Sequence, residues 1–330
     1  MTMTLNVENV TIIDKMGAGI TETLRTALAG AYNDTLKAKA DAEVLPPGRV
    51  KAPAEKKAVK MTTVDALASG EKYIRPNGEE YFARKWGIHD DVAVLRQARE
   101  HSQFILLYGA PGCGKTALVE AAFEKVYTIQ GTGDTELADF IGGYVMTPSG
   151  GFVWEDGPML KAAAEGVPLF VDEIGLIDNK VLPGLYGLMD GRKEYVVTAN
   201  PERGTVRAEE GFYVVAATNP NAPGVRMSEA LISRFSIQAE MTTDYDLARK
   251  MGVPAALITV ATNLMRKMEA GGNSWAPQMR ELLAFRDIAK LFGTEFATAN
   301  LIAGAPEMDR PDVEDICSRV MAVATKAARI

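Results

Sequence analysis

The run Gly109 to Thr116, GAPGCGKT, placed directly behind the apolar run Phe104-Ile105-Leu106-Leu107-Tyr108, constrains this chain more than any other feature. It fills every fixed position of the pattern G-x-x-x-x-G-K-[ST], and a helix-forming run, Ala117 to Val126, follows it. Phosphate oxygens need backbone N–H groups converging on them, and glycines let the backbone come that close because they carry no Cβ. The expected cradle runs through Gly109, Ala110, Pro111, Gly112, Cys113, Gly114, Lys115, Thr116 and Ala117. The helix that follows points its positive end at the same spot. Lys115 is then expected to reach the β- and γ-phosphates, and the Thr116 hydroxyl to ligate Mg²⁺. The run implies a nucleoside triphosphate site.

A chain of 330 residues suits one nucleotide-binding core with smaller accessory pieces. Its net charge of −7 does not advertise the whole surface to nucleic acid or anionic lipid. Cys113 and Cys317 are its two cysteines, too few for a disulfide framework or a four-cysteine zinc site. His89 and His101 are its two histidines, which leaves zinc sites and histidine triads poorly supported. No apolar run reaches membrane-spanning length, and MTMTLNVENVTIID lacks the basic-then-apolar order of a signal peptide. The expected location is a reducing cytoplasm.

Met16 to Lys39 predicts a helix, and the Pro-, Ala- and Lys-rich stretch from Asp41 to about Lys60 a flexible linker, so residues 1–70 are expected to stand apart. Tyr73 to Trp86 reads as two β-prone runs around the turn Pro76-Asn77-Gly78, and Val92 to His101 as a helix. The stretch Gly87 to Val92 is expected to pack on the nucleotide base.

Two further strands carry candidate chemistry. VPLFVDEI, Val167 to Ile174, reads as a buried parallel strand delivering two carboxylates at its C-terminal end, where open α/β sheets bind ligands. Asp172 is expected in the Mg²⁺ shell and Glu173 as the group that orients and deprotonates water. The run Tyr213 to Thr218 ends in Asn219, whose amide can hydrogen-bond both a γ-phosphate and that water. Downstream, SEALISRFS places Arg234 at the end of a short helix.

In that order GAPGCGKT, LFVDEI, VVAATNP and ALISRFS resemble the AAA+ ATPases. The segments between them narrow the resemblance to the MoxR-like branch, which includes the small ATPase subunit of cobaltochelatase and its phage-encoded relatives. Leu137 to Lys161 looks like that branch's second helix interrupted by a hairpin, and Gly191 to Phe212 like its hairpin before the first sensor strand. The resemblance implies an α/β P-loop core at 71–240, a parallel sheet flanked by helices, with an α-helical lid at 241–330. It implies ATP and Mg²⁺ as cofactors, Lys115 with Thr116 as Walker A pair, Asp172 with Glu173 as Walker B pair, and Asn219 as first sensor. Arg234 falls at the arginine finger, with Arg226 competing, and Arg280 at the second sensor, with Arg286 as runner-up. Cys113 departs from the family's usual threonine; a thiolate beside the helix N-terminus would make the loop oxidant-sensitive. The lid reads as helices at Tyr245–Met251, Pro254–Met268, Gln278–Phe292 and Asp312–Arg329, the last with an apolar stripe from Val313 to Ala324.

An arginine supplied by a neighbour implies a homo-oligomer, with a hexameric ring expected. The leading reading is a chaperone-like remodeller acting on a protein partner, as MoxR-like ATPases commonly work with a partner containing a von Willebrand A domain. The alternative is a nucleic-acid motor or loader whose pre-sensor hairpin uses Arg192, Lys193, Arg203 and Arg207. A third, a structural ring that only binds ATP, is disfavoured by the intact Asp172-Glu173 pair. Phe152 and Trp154 are candidates either for a moving tip or for packing under their hairpin.

Overall fold

The computed structural model describes residues 71–322 and 326–328. The expected helix at Met16–Lys39 and linker at Asp41–Lys60 lie outside the described residues, as does Ala324. β1 (Lys72–Ile74) and β2 (Glu80–Phe82) pair antiparallel across Pro76-Asn77-Gly78, with Gly78 at φ +83° supplying the turn. A second small pair follows, β3 (Lys85–Trp86) with β4 (His89–Asp90), turning on Gly87. The Asp90 carboxylate caps α1 (Asp91–Glu100) by accepting from the N–H groups of Val92 and Ala93, and Val92, Leu95 and Ala98 form its buried stripe.

β5 (Ile105–Tyr108) leads through the glycine-rich loop into α2 (Lys115–Ala122). That helix stops short of Val126 because Phe123 turns extended and puts its ring edge-on to Tyr213 at 5.9 Å. β6 (Tyr127–Gln130) is a strand the sequence reading had not singled out. α3 (Leu137–Ile141) and α4 (Pro158–Glu165) are separated by a hairpin of β7 (Gly142–Met146) and β8 (Phe152–Asp156). At the hairpin's base the backbones cross so closely that a Cβ on Gly142 would lie 2.0 Å from the Glu155 carbonyl oxygen.

β9 (Pro168–Asp172) and α5 (Pro183–Met189) precede a second hairpin, β10 (Glu194–Val196) with β11 (Thr205–Arg207). β12 (Tyr213–Thr218), buried at every position, α6 (Glu229–Ile232) and β13 (Ile237–Glu240) complete the sheet region. The central sheet has the order β13-β5-β12-β9-β6 and all four pairings are parallel. The three inner strands, β5, β12 and β9, bury both faces, which explains their near-continuous apolar runs, whereas the edge strands β13 and β6 keep one buried position each.

The C-terminal region is helical: α7 (Tyr245–Lys250), α8 (Ala255–Glu269), α9 (Met279–Phe292), α10 (Thr294–Gly304) and α11 (Arg310–Met321). α10 was not anticipated, because its apolar residues run around the helix without a stripe. α11 ends at Met321, short of the expected Arg329, where Ala322 enters the left-handed region at φ 55°. Buried apolar residues form two clusters. One spans Tyr81 to Met241 around the sheet; the other spans Leu247 to Cys317 among the helices.

The two hairpins are joined. Arg203 Nε and Nη2 donate to Asp156 Oδ2 at 2.9 and 2.7 Å, and Trp154 Nε1 donates to Asp156 Oδ1 at 2.7 Å. Trp154 also meets Tyr144 edge-on at 5.4 Å, so it packs within its hairpin, whereas Phe152 at the tip is 71% exposed. Partial burial pulls the Asp156 carboxyl pKa up, but the hydrogen bonds from Arg203 and Trp154 outweigh it and hold the group below the usual carboxylate range. A depressed folded pKa contributes stability that is present above the unfolded value and lost as pH falls through the folded one. The Arg203→Gln variant is therefore expected to melt about 2–4 °C lower at pH 7 and to lose Tm less steeply than wild type between about pH 5 and pH 2. Parallel thermal melts across that range check it.

Candidate functional site

Parallel pairing brings the ends of β5, β12 and β9 to one edge of the sheet. The loop Gly109–Gly114 emerges there, and three of its glycines sit at positive φ: Gly109 (152°), Gly112 (79°) and Gly114 (98°). Close neighbours forbid side chains as well. A Cβ on Gly109 would stand 2.2 Å from the Met241 carbonyl oxygen, and one on Gly114 2.5 Å from Arg84 Nη2. The Lys115 ammonium is buried and donates to the carbonyls of Gly109 and Ala110 at 2.8 and 3.1 Å. Thr116 Oγ1 donates to Asp172 Oδ2 at 3.0 Å, so the loop helix and the tip of β9 meet through two oxygen-bearing side chains.

Glu173 follows in the left-handed region at φ 49°, ψ 39°, a strained conformation for a glutamate. Its backbone N–H donates to Asp172 Oδ1. Glu173 Oε2 and Thr218 Oγ1 are buried without a hydrogen-bond partner among the described residues. Buried polar atoms are normally satisfied, so two orphans at this edge fit a site shaped for a polar ligand. The adjacent Thr116 and Asp172 oxygens suit a hard cation such as Mg²⁺, which takes one or two protein oxygens and completes its shell with phosphate and water. Among the described residues no group of three or more His, Cys, Asp or Glu forms a self-sufficient metal cage.

The remaining expected residues divide. Half-buried Asn219 stands at the same edge, its Oδ1 accepting from the Asn221 N–H at 3.2 Å. Arg280 comes to the loop from α9: its backbone N–H donates to the Gly112 carbonyl at 3.2 Å, and a Cβ on Gly112 would touch its Cβ at 3.0 Å. Arg286 is engaged elsewhere, with the Met251 carbonyl and Asp287. Arg234 lies over the Tyr186 ring at 3.8 Å and donates to the Ala230 carbonyl at 2.5 Å. No hydrogen bond joins it to the loop among the described residues. Arg226 is exposed, with its backbone N–H bound to the Gly175 carbonyl. Cys113 is fully buried, which keeps oxidant from its sulfur and counters the expectation of an oxidant-sensitive loop.

Beside the loop lies a cavity of about 320 Å³, lined among others by Trp86, Gly87, Asp91, Leu118 and Met241. The stretch expected to pack on a base therefore borders a cavity of suitable kind. Sequence reasoning missed Arg84, which lines the same cavity and donates to the Cys113 carbonyl at 2.8 Å. In the run FARKW nothing distinguishes it from its basic neighbour Lys85. A larger cavity, about 1060 Å³, opens among Phe104, Phe123, Pro168 and Phe212, near the starts of the strands and away from the loop.

A five-strand parallel sheet that hands a GAPGCGKT loop to a helix and is followed by a helical region defines the AAA+ P-loop ATPase fold. Residues 104–235 match the family model of the AAA domain, dynein-related subfamily. The chain is 34% identical over 135 residues to Protein NorQ of Paracoccus denitrificans, a match covering 40% of this chain and 49% of NorQ. It is 28% identical over 217 residues to Midasin of Giardia intestinalis, covering 59% of this chain and 4% of Midasin. An uncharacterised protein of Staphylococcus aureus (strain USA300) is 37% identical over 162 residues, covering 45% of this chain and 60% of that protein. The chain thus spans less than two thirds of each of these relatives.

The contact between Gly109 and the Met241 carbonyl yields a test. Gly109→Ala must displace either the loop or the segment after β13, so it is expected to lower Tm and to weaken ATP binding by about tenfold or more. Calorimetric titration with ATP and Mg²⁺ checks the second; unaltered affinity would show that the close contact does not shape the loop.

Proposed function

We propose that the chain binds ATP with Mg²⁺, hydrolyses it in a homo-oligomeric ring, and uses the resulting movement to remodel a protein partner. The observation that carries this reading is the placement of Thr116, Asp172 and the orphaned Glu173 carboxylate at one sheet edge behind the phosphate loop. In it Lys115, already aimed at the loop's carbonyls, holds the β- and γ-phosphates, while Thr116 and Asp172 hold Mg²⁺. Bound there, Mg²⁺ supplies charge neutralisation for the phosphate oxygens. Glu173 accepts the proton of the attacking water, and Asn219 orients that water against the γ-phosphate. Arg280, fixed to the loop by its own backbone, senses the phosphate from the helical side.

Residues 71–240 form the proposed core and 241–330 the lid, with 1–70 an accessory segment. Arg234 acts on the neighbour's nucleotide. In its own chain it rests on Tyr186, from which it would have to swing out; exposed Arg226 is the other candidate. The ring is proposed as a hexamer and the location as cytoplasmic; among the described residues no helix is long and apolar enough to cross a membrane.

The partner is proposed to be a protein, with a von Willebrand A domain protein the leading candidate. The first hairpin's tip exposes Met146 and Phe152, each 71% accessible, together with Tyr144, Val145 and Val153. The nucleic-acid alternative needs free cations on the second hairpin. There Arg192 pairs with Asp190, Arg203 with Asp156 and Arg207 with Glu194, which leaves Lys193 without a recorded ion pair among the described residues.

Mixing subunits tests the mechanism. Glu173→Gln and Arg234→Ala proteins are each expected to lose about 10³-fold or more of the ATPase rate, and their mixture to recover part of it, since each supplies what the other lacks. An Arg234→Ala protein as active as wild type, with Arg226→Ala inactive, would move the finger to Arg226. A fully active wild-type monomer at every dilution would end the ring reading.

A further inference from the structure

We propose that Arg84 is a positioning residue that ties the phosphate loop to the start of the C-terminal helical region, coupling the loop's shape to the placement of those helices. The proposal rests on the ATP reading above and concerns how that site transmits its occupancy.

Arg84 follows β2 by two residues, far in sequence from both groups it holds. Its Nη2 donates to the Cys113 carbonyl at 2.8 Å, inside the phosphate loop. Its Nη1 donates to the Thr242 carbonyl at 3.2 Å, in the segment that leaves β13 for α7. A planar guanidinium can serve two such carbonyls at once because its N–H groups form a fixed fork. The side chain is only 12% exposed, so the fork is held from all around.

What holds it is a network of its own. Asp91 accepts from the Arg84 backbone N–H at 3.1 Å and from the Tyr81 hydroxyl at 2.5 Å, and returns its own N–H to the Arg84 carbonyl at 3.0 Å. The Asp91 carboxylate also stands 4.0 Å from Arg84 Nε. Burial pushes the Asp91 and Tyr81 pKa values up, as expected of groups withdrawn from water.

The segment that Arg84 grips is the one through which the helices meet the core. Met241 donates its N–H to the Tyr108 carbonyl at 2.7 Å, and Thr243 Oγ1 donates to Gln278 Oε1 at 2.7 Å, at the cap of α9. The first turn of α9 carries Arg280, whose backbone N–H donates to the Gly112 carbonyl. A loop that reshapes around phosphate moves the Cys113 carbonyl. Through one rigid side chain that displacement reaches Thr242, and from Thr243 it reaches α9.

A merely structural role, a cation neutralising Asp91, predicts something different. Lysine at this position would keep a charge near Asp91, because its ammonium ends close to where Cζ stands, one bond short of the two Nη atoms that reach the carbonyls. The test compares wild type with Arg84→Lys, as full-length chains, in three measurements: ATP affinity by calorimetry, ATPase kcat, and hydrogen exchange with and without a non-hydrolysable ATP analogue. Expected for Arg84→Lys are an ATP Kd within about threefold of wild type and a kcat reduced about tenfold or more, the loss of a charge-assisted hydrogen bond. Analogue-induced protection should persist at residues 109–118 and vanish at 241–250 and 279–285. Rescue of kcat by lysine, or undiminished protection in those helices, overturns the proposal. A Kd weakened more than about tenfold also overturns it, since Arg84 would then be a ligand contact. If the lysine variant does not fold, Arg84→Gln is judged by Kd and by the protection pattern alone, and undiminished protection at 241–250 and 279–285 overturns the proposal. Wild type that gains no protection at 109–118 refutes the ATP reading itself, an outcome distinct from loss of coupling.

Discussion

The site depends on the register of three parallel strands. Tyr108 lies opposite Thr218, and Ala216 opposite Val171, so Gly109, Asn219 and Asp172 emerge at one edge. In a half-exposed sheet the alternation of apolar and polar side chains would fix that register, but β12 is buried on both faces and has no alternation to read. The strand tips fix it instead. Gly109 N–H binds the Thr218 carbonyl and Gly131 N–H the Asp172 carbonyl. Gly175 closes on Thr218, where a Cβ would come within 2.6 Å of Oγ1. A slip by one residue would break these contacts and carry Asp172 away from Thr116. The same atoms that shape the site therefore hold the sheet in the register that creates it.

The second constraint is a polar seam. The apolar clusters of the sheet region and the helical region are distinct; Phe82 of β2 packs against the helical one, and hydrogen bonds join the two regions near the loop: Arg280 to Gly112, Thr243 to Gln278, Arg84 to Cys113 and Thr242. The proposed coupling needs such a seam, because a few hydrogen bonds are exchanged more readily than a large apolar interface is opened. The loop is a partner in several of these bonds. A ligand that changes the loop's carbonyl directions therefore acts on the seam directly, without needing a longer path through the core.

Much of this was legible in the sequence because its signals are local. The phosphate loop announces itself by glycine spacing, the hairpin at Pro76-Asn77-Gly78 by turn residues, and β9 by an apolar run closed by Asp172-Glu173. What escaped depends on distant neighbours. β6 is a strand because β9 offers it a pairing edge, and its own four residues show one buried position. α10 lacks a stripe, since its surroundings rather than its periodicity select the buried face. Arg84 looks like any surface arginine until the chain returns to place Cys113, Thr242 and Asp91 around it. The left-handed backbone of Glu173 is likewise invisible in a sequence, because glutamate gives no hint of positive φ.

The two hairpins bear on what the molecule acts upon. An isolated two-stranded ribbon is marginally stable in water, and the first hairpin puts Val145, Met146, Phe152 and Val153 into solvent. Its base is secured by the Gly142 crossing and by the Asp156 carboxylate, which gathers Trp154 from its own strand and Arg203 from the second hairpin. The bond from Arg203 removes a cation from the surface that a nucleic acid would need, and in exchange makes the two ribbons follow one another. Rigid at the root and apolar at the tip, the pair supports the proposed protein partner, since an exposed apolar tip suits a protein surface better than a phosphate backbone.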